Sequence, residues 1–153
     1  MHPQCLIIGI GNEYRCDDGA GLMAAREIQQ KNIPSLFVKE QSGEGAALMD
    51  AWQGFDHVIL VDVVSSGAEP GTIYRIEALK EKFPLKFFHY SAHAFGVAEA
   101  VELARSLRKL PSHMVFHGVE GRNFKAGISI SPEVWEGIDK IIENIVVEIE
   151  SLD

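Results

Sequence analysis

A chain of 153 residues with a formal net charge of −8, 46% hydrophobic and 24% charged, is long enough for one domain with a substantial core. The acidic balance argues against non-specific binding to nucleic acid or to an anionic membrane, since both need a basic surface. The apolar run Cys5–Ile10 is too short to span a bilayer, and Met1–Gln4 has no basic region followed by a small-residue cleavage site, so the expected home is the cytoplasm, without membrane insertion.

Gln4–Ile10 is a continuous apolar run closed by glycine, the pattern of a buried parallel strand. Asp17 and Asp18 then open a helix that carries Leu22, Ala25 and Ile28 at helical spacing and stops before Pro34. Ser35–Glu40 reads as a second strand and Gly45–Trp52 as a short helix. His57–Val64, written HVILVDVV, is the strongest strand. The turn Ser65–Pro70 is too short for a crossover helix, so the next strand, Gly71–Ile76, is expected to run antiparallel to its predecessor.

Leu79–Tyr90 is irregular. Ser91 is a good N-cap for a helix with Ala94, Val97, Val101, Ala104 and Leu107 on one face, ending near Pro111. Ser112–Val119 is the last strand. Ser131-Pro132, an N-cap followed by proline at the first helical position, opens a long helix with Val134, Ile138, Ile141, Ile142, Ile145 and Ile149 along its apolar stripe. Strands alternating with helices predict a single α/β domain over residues 1–153. It should have three layers, helices on both faces of a twisted sheet of about five strands, mostly parallel with one antiparallel.

Ligands of such sheets bind beyond the carboxyl ends of the strands, so the residues there matter most. Gly9-Ile10-Gly11 begins like a dinucleotide fingerprint, but Tyr14 replaces the third glycine, and Glu40 comes too late for the acidic residue expected about 20 positions on. Asp17 and Asp18 suit a helix N-terminus, yet one cap suffices and a second carboxylate is free to point elsewhere. Asp62 interrupts the most hydrophobic strand near its carboxyl end. Such a group must be paired, hydrogen-bonded or bound to a cation, or be turned to the solvent rim.

His93 follows Ser91 at the start of a helix that begins at the same edge of the sheet. Alone it would be an ordinary hydrogen-bonded histidine. Two carboxylates and an imidazole from three loops suit a borderline divalent metal with positions left open. His2, His57, His113 and His117 read as non-catalytic, and Ser91 places His89 outside the helix. No nucleophile elbow is present. Cys5 reads as a buried small hydrophobe, while Cys16 has position alone to suggest reactivity.

Four segments in order, Gly9–Ile28 (GIGNEYRCDDGAGLMAAREI), Val58–Ile76, Ser91–Arg105 and Val115–Val134, resemble the hydrogenase maturation protease family. The resemblance places Asp18 at the family's acidic metal-binding position, Asp62 at the aspartate ending the central strand, and His93 at the histidine of the Ser-x-His segment. In the family these bind nickel already inserted in the precursor. It implies an endopeptidase, of aspartic or metal-dependent type, that removes the C-terminal extension of a nickel-loaded hydrogenase large-subunit precursor just beyond its cysteine-rich motif. Asp18 and Asp62 are then also the catalytic candidates, either one as base.

The nickel is expected on the substrate, with no tightly held metal in the free enzyme. The expected partner is the precursor, with no nucleic acid and no second copy of the chain. One departure stands out: Gln41-Ser42-Gly43-Glu44-Gly45 keeps the glycines of the family's Asp-Gly-Gly-like turn but not its aspartate. The rival reading is a non-catalytic metal-dependent binding module, a chaperone for a metalloprotein precursor.

Overall fold

A computed structural model describes residues 4–88 and 93–152. Among these, five strands form one sheet: β1 (Cys5–Ile10), β2 (Leu36–Gln41), β3 (His57–Val64), β4 (Ile73–Glu77) and β5 (His113–Glu120). Their order is β2-β1-β3-β5-β4, with β4 the antiparallel edge. Four helices cover the faces: α1 (Ala20–Gln29), α2 (Gly45–Trp52), α3 (Val97–Ser106) and α4 (Pro132–Glu150). The predicted three layers and mostly parallel sheet are what the chain adopts.

The layering follows from strand alternation. Leu6, Ile8, Ile10, Leu60 and Val64 face a core shared with Leu48 and Trp52 of α2 and Val97, Val101 and Ala104 of α3. Cys5, Ile7, Ile59, Val61 and Val63 face the opposite core, filled by Ala24 and Ile28 of α1 and Ile138, Ile141 and Ile145 of α4. Because both faces are covered, β1 and β3 are apolar almost without a break. The Cys5 thiol, enclosed here, is pushed up to about 12 by burial and then by the charge of Glu148.

Several boundaries differ from the sequence reading. The strand after Pro70 does run opposite to β3, but it pairs with β5. The chain leaves β3, steps over the position that β5 later fills, and takes the edge. The third helix begins at Val97. Ser91 and His89 lie outside the described residues; the helix is capped at Gly96, whose N–H donates to Glu99 Oε1 at 2.8 Å. Leu107 ends that helix half exposed, since the helix stops before its face can bury it.

Asp17 and Asp18 do not cap α1. They lie in a 3-10 turn, Cys16–Gly19, and α1 starts after Gly19. No helix among the described residues is long and apolar enough to cross a membrane.

Sheet order also locates a ligand site. From β1 the chain turns through α1 to β2 on one side, then returns through α2 to β3 on the other. The connections diverge at the carboxyl ends of β1 and β3, which opens a crevice at the switch point.

Candidate functional site

A cleft of about 510 Å³ occupies that crevice. Its lining includes Gly11, Tyr14, Arg15 and Asp18 from the β1–α1 loop, Ser42 and Gly43 after β2, and Asp62 to Ser65 at the end of β3. Phe88, His93 and Phe124 come from three further segments. Asp18, Asp62 and His93 therefore share one cavity at one edge of the sheet, although they are separated widely in sequence.

Asp62 follows Leu60 on the side of the sheet covered by α2 and α3, as alternation requires. Its partner across the ladder, Gly118, has no side chain to screen it. It is 6% exposed and accepts one hydrogen bond, from the Val63 N–H to Oδ1 at 2.7 Å. Burial drives its carboxyl well above the ordinary 3.8, and the negative charge of Asp18 adds to the rise against the Val63 N–H. The carboxylate is thus inside the cleft and not on a solvent rim.

Asp18 is more accessible. Burial raises its carboxyl, opposed by the Arg15 guanidinium, the Asn12 N–H and the His93 imidazole. Arg15 Nη1 stands 3.7 Å from Asp18 Oδ2. The loop that holds Asp18 needs glycine at position 11. There φ is +146°, and a Cβ would lie 1.9 Å from the Asp18 carbonyl oxygen. Gly11→Ala should therefore displace the turn that carries Asp18 and cost about 1–3 kcal/mol of stability by overpacking, read as a fall in ΔG of unfolding in denaturant titration.

His93 lies in the irregular segment before α3. Gly43 lies beside it: the backbone there has φ +102°, which favours glycine, and a Cβ would crowd Ile10 at 3.2 Å while meeting the His93 ring carbon Cδ2 at an ordinary contact distance of 3.7 Å. This is a second glycine whose place in the Gln41–Gly45 turn has a physical reason. Glu44 beside it caps α2, accepting from the Ala46 and Ala47 N–H groups at 3.0 and 2.8 Å. Those two bonds hold its carboxyl below the ordinary range.

Among the described residues, no three histidine, cysteine, aspartate or glutamate side chains are gathered tightly enough to hold an ion. Asp18, Asp62 and His93 border the same cavity without closing on a single point. The other described histidines sit elsewhere. His57 and His113 stack, ring centroids 4.3 Å apart, at the amino ends of β3 and β5, and buried His117 lies 3.2 Å from Glu148. His2 is outside the described residues.

The sequence reading missed three features. Asp17 is wholly buried and binds the loop after β5. Glu120, also buried, accepts from the Ser66 N–H and hydroxyl and from Tyr74. Phe124 and Tyr14 border the cleft. Only the motif Val115–Val134 hinted that this loop mattered, and nothing in it named a partner for Asp17.

The model of the family described as hydrogenase maturation protease matches residues 29–148, beginning after Asp18. The hydrogenase expression/formation protein HupD of Thiocapsa roseopersicina is 31% identical over 144 residues, covering 92% of this chain. The chain spans 65% of that protein's length. The hydrogenase 2 maturation protease of Escherichia coli is 27% identical over 92% of this chain and 87% of its own. Among solved structures, the nickel-iron hydrogenase maturation protease HybD from Thermococcus kodakarensis superposes with a TM-score of 0.72 at 25% identity, over 95% of this chain and 99% of that one. With the same sheet, the same layers and a family match over most of its length, this chain belongs to the hydrogenase maturation protease family.

Proposed function

We propose that the chain is an endopeptidase that removes the C-terminal extension of a nickel-loaded hydrogenase large-subunit precursor. Asp18, Asp62 and His93 face the nickel that the substrate carries. The observation that carries this reading is their convergence: two carboxylates and an imidazole, from the β1–α1 loop, the end of β3 and the segment before α3, border one cleft at the switch point of the sheet. Relatives named as hydrogenase maturation proteases supply the substrate class.

In this reading the cleft receives the precursor's metal and the chain on either side of the scissile bond. Asp62 and Asp18 give carboxylate oxygens to the ion and His93 an imidazole nitrogen, which orients the bond between the loops. The reaction is hydrolysis. Water adds to the scissile carbonyl carbon, the carbon–nitrogen bond breaks, and the leaving amine takes a proton while the water loses one. In this reading either Asp18 or Asp62 accepts the proton from water as general base. A cation bound to the carbonyl or the water would lower the barrier further as a Lewis acid. Tyr14 is 68% exposed and Ile128 77%. Tyr14 lines the cleft, and Ile128 follows Gly127, whose N–H donates to the Tyr14 carbonyl at 2.9 Å; in this reading the exposed Tyr14 ring supports the peptide as it enters.

Mass spectrometry of a candidate precursor before and after incubation with the protein tests this. Wild type should release one C-terminal peptide, and His93→Ala should release none. His57→Ala, changed at the opposite edge of the sheet, should cut at a rate within about twofold of wild type. Binding of the nickel-loaded precursor without any peptide release would favour the rival chaperone reading.

A further inference from the structure

We infer that Asp17, the hidden member of the acidic pair, is a positioning residue for the cleft. It fixes the 121–131 loop to the β1–α1 loop, and in doing so aims Asp18 at the substrate. The inference rests on the endopeptidase reading for its activity arm only.

The geometry is specific. Asp17 is 0% exposed. Its Oδ2 accepts the N–H groups of Arg122 and Asn123 at 2.8 and 2.9 Å and the Ser131 hydroxyl at 2.8 Å, and its Oδ1 accepts the Ser131 N–H at 2.7 Å. Charge-assisted bonds of this kind are short and strong. One carboxylate thereby gathers both ends of the loop between β5 and α4. Ser131 is the residue before α4, yet its hydroxyl caps no amide of that helix and is spent on Asp17.

Backbone bonds complete the join. The Cys16 N–H donates to Gly127, the Asp17 N–H to Asn123 and the Gly127 N–H to Tyr14, at 2.8 to 2.9 Å. Phe124, between these anchors, lines the cleft. A 3-10 turn has about three residues per turn, so neighbouring side chains diverge by about 120°. Holding Asp17 against the loop therefore directs Asp18 away from it, towards the cavity where Asp62 and His93 lie. The pair divides its labour: one carboxylate fastens, and the other faces the ligand.

An isosteric amide tests the idea. In Asp17→Asn, one nitrogen must face a donor that now meets a carboxylate oxygen. Three readouts are compared in wild type, Asp17→Asn and Ser131→Ala: amide hydrogen exchange by NMR, the resonance of the Asp18 carboxyl carbon, and kcat and KM on the nickel-loaded precursor. For Asp17→Asn, exchange at Arg122, Asn123 and Ser131 should quicken by about tenfold or more while the amides of Ile7 and Leu60 in the sheet stay protected. The Asp18 resonance should move, and kcat should fall by about 10- to 100-fold, the penalty of a reacting group misplaced by a fraction of an ångström, with KM nearly unchanged. Ser131→Ala keeps three of the four donors and should shift the same readouts less, so it carries the test if Asp17→Asn does not fold.

A loosened loop with an unmoved Asp18 resonance and full kcat would make Asp17 a tie of the fold alone and overturn the proposal. So would a lost kcat with unaltered exchange, because Asp17 would then act by another route. Wild-type protein that leaves the precursor whole would sink the endopeptidase reading instead, and the exchange and resonance arms would still decide whether Asp17 sets the position of Asp18.

Discussion

Asp62→Asn should reduce precursor cleavage by at least about a hundredfold, a loss of on the order of 3 kcal/mol of transition-state stabilisation, while leaving the protein as stable as wild type or more so at neutral pH. Both halves follow from one observation. The Asp62 carboxyl is buried, and among the described residues the hydrogen bond from the Val63 N–H is what offsets the cost of its charge. Burial and the adjacent charge of Asp18 raise it well above its ordinary value. The folded chain therefore holds this proton more tightly than the unfolded chain does.

The sign follows by linkage. Over the window from the ordinary carboxylate value of 3.8 up through the raised folded value, the folded state binds more protons. Stability is full below that window and falls as pH rises through it. An amide in the same place carries no charge and removes this part of the loss. Asp18, raised in the same direction, keeps a smaller slope of its own. Thermal unfolding of wild type and variant between pH 4 and pH 8, about the range where such groups titrate, should give a shallower decline for Asp62→Asn. A variant with wild-type cleavage would remove Asp62 from the site. A variant that unfolds at every pH would make Asp62 a structural residue. The trade expected here is the common one in which an active-site group costs stability where it sits.

The second large effect concerns the substrate. With free metal removed by chelation, a nickel-free precursor should be cut at least about a hundredfold more slowly than the nickel-loaded form at equal concentration. Two carboxylates and one imidazole leave a divalent ion short of ligands, so such a site should hold free metal more weakly than a closed four-ligand site. Glu44 is already engaged at the start of α2. Nickel fixed in the precursor brings its own thiolates, soft donors that suit it. Recognition then becomes coordination shared by two proteins, and only precursors with completed metal insertion are trimmed. Equal rates for the two forms, measured as peptide release over time, would overturn substrate-borne recognition and point to a protease that does not read the metal.

Much of the fold was legible in the sequence because its signals are local. Unbroken apolar runs at Cys5–Ile10 and His57–Val64 mark strands covered on both faces, and the stripe from Val134 to Ile145 marks a helix laid on that sheet. Helix α2 was readable to the residue, since Gly45 and Trp52 bound its packing face. Asp62 could be singled out because a carboxylate inside such a strand is costly wherever the rest of the chain lies. Asp18 and His93 could be grouped with it by topology and by motif, and all three border one cleft.

Local patterns of residues thus carry the set of elements, their layering and the residues whose chemistry is out of keeping with their surroundings. The folded chain alone reveals which strand β4 pairs with, where α3 begins, and what holds Asp17, the neighbour of the aspartate that the motif singles out. Those outcomes depend on partners far along the chain. β4 takes the edge because β5, some forty residues later, fills the place beside β3. Asp17 is buried because amides more than a hundred residues away converge on it. Local periodicity carries no information about such pairings. They are set by the hydrogen-bond demand of buried groups, which must find their donors wherever the folded chain brings them.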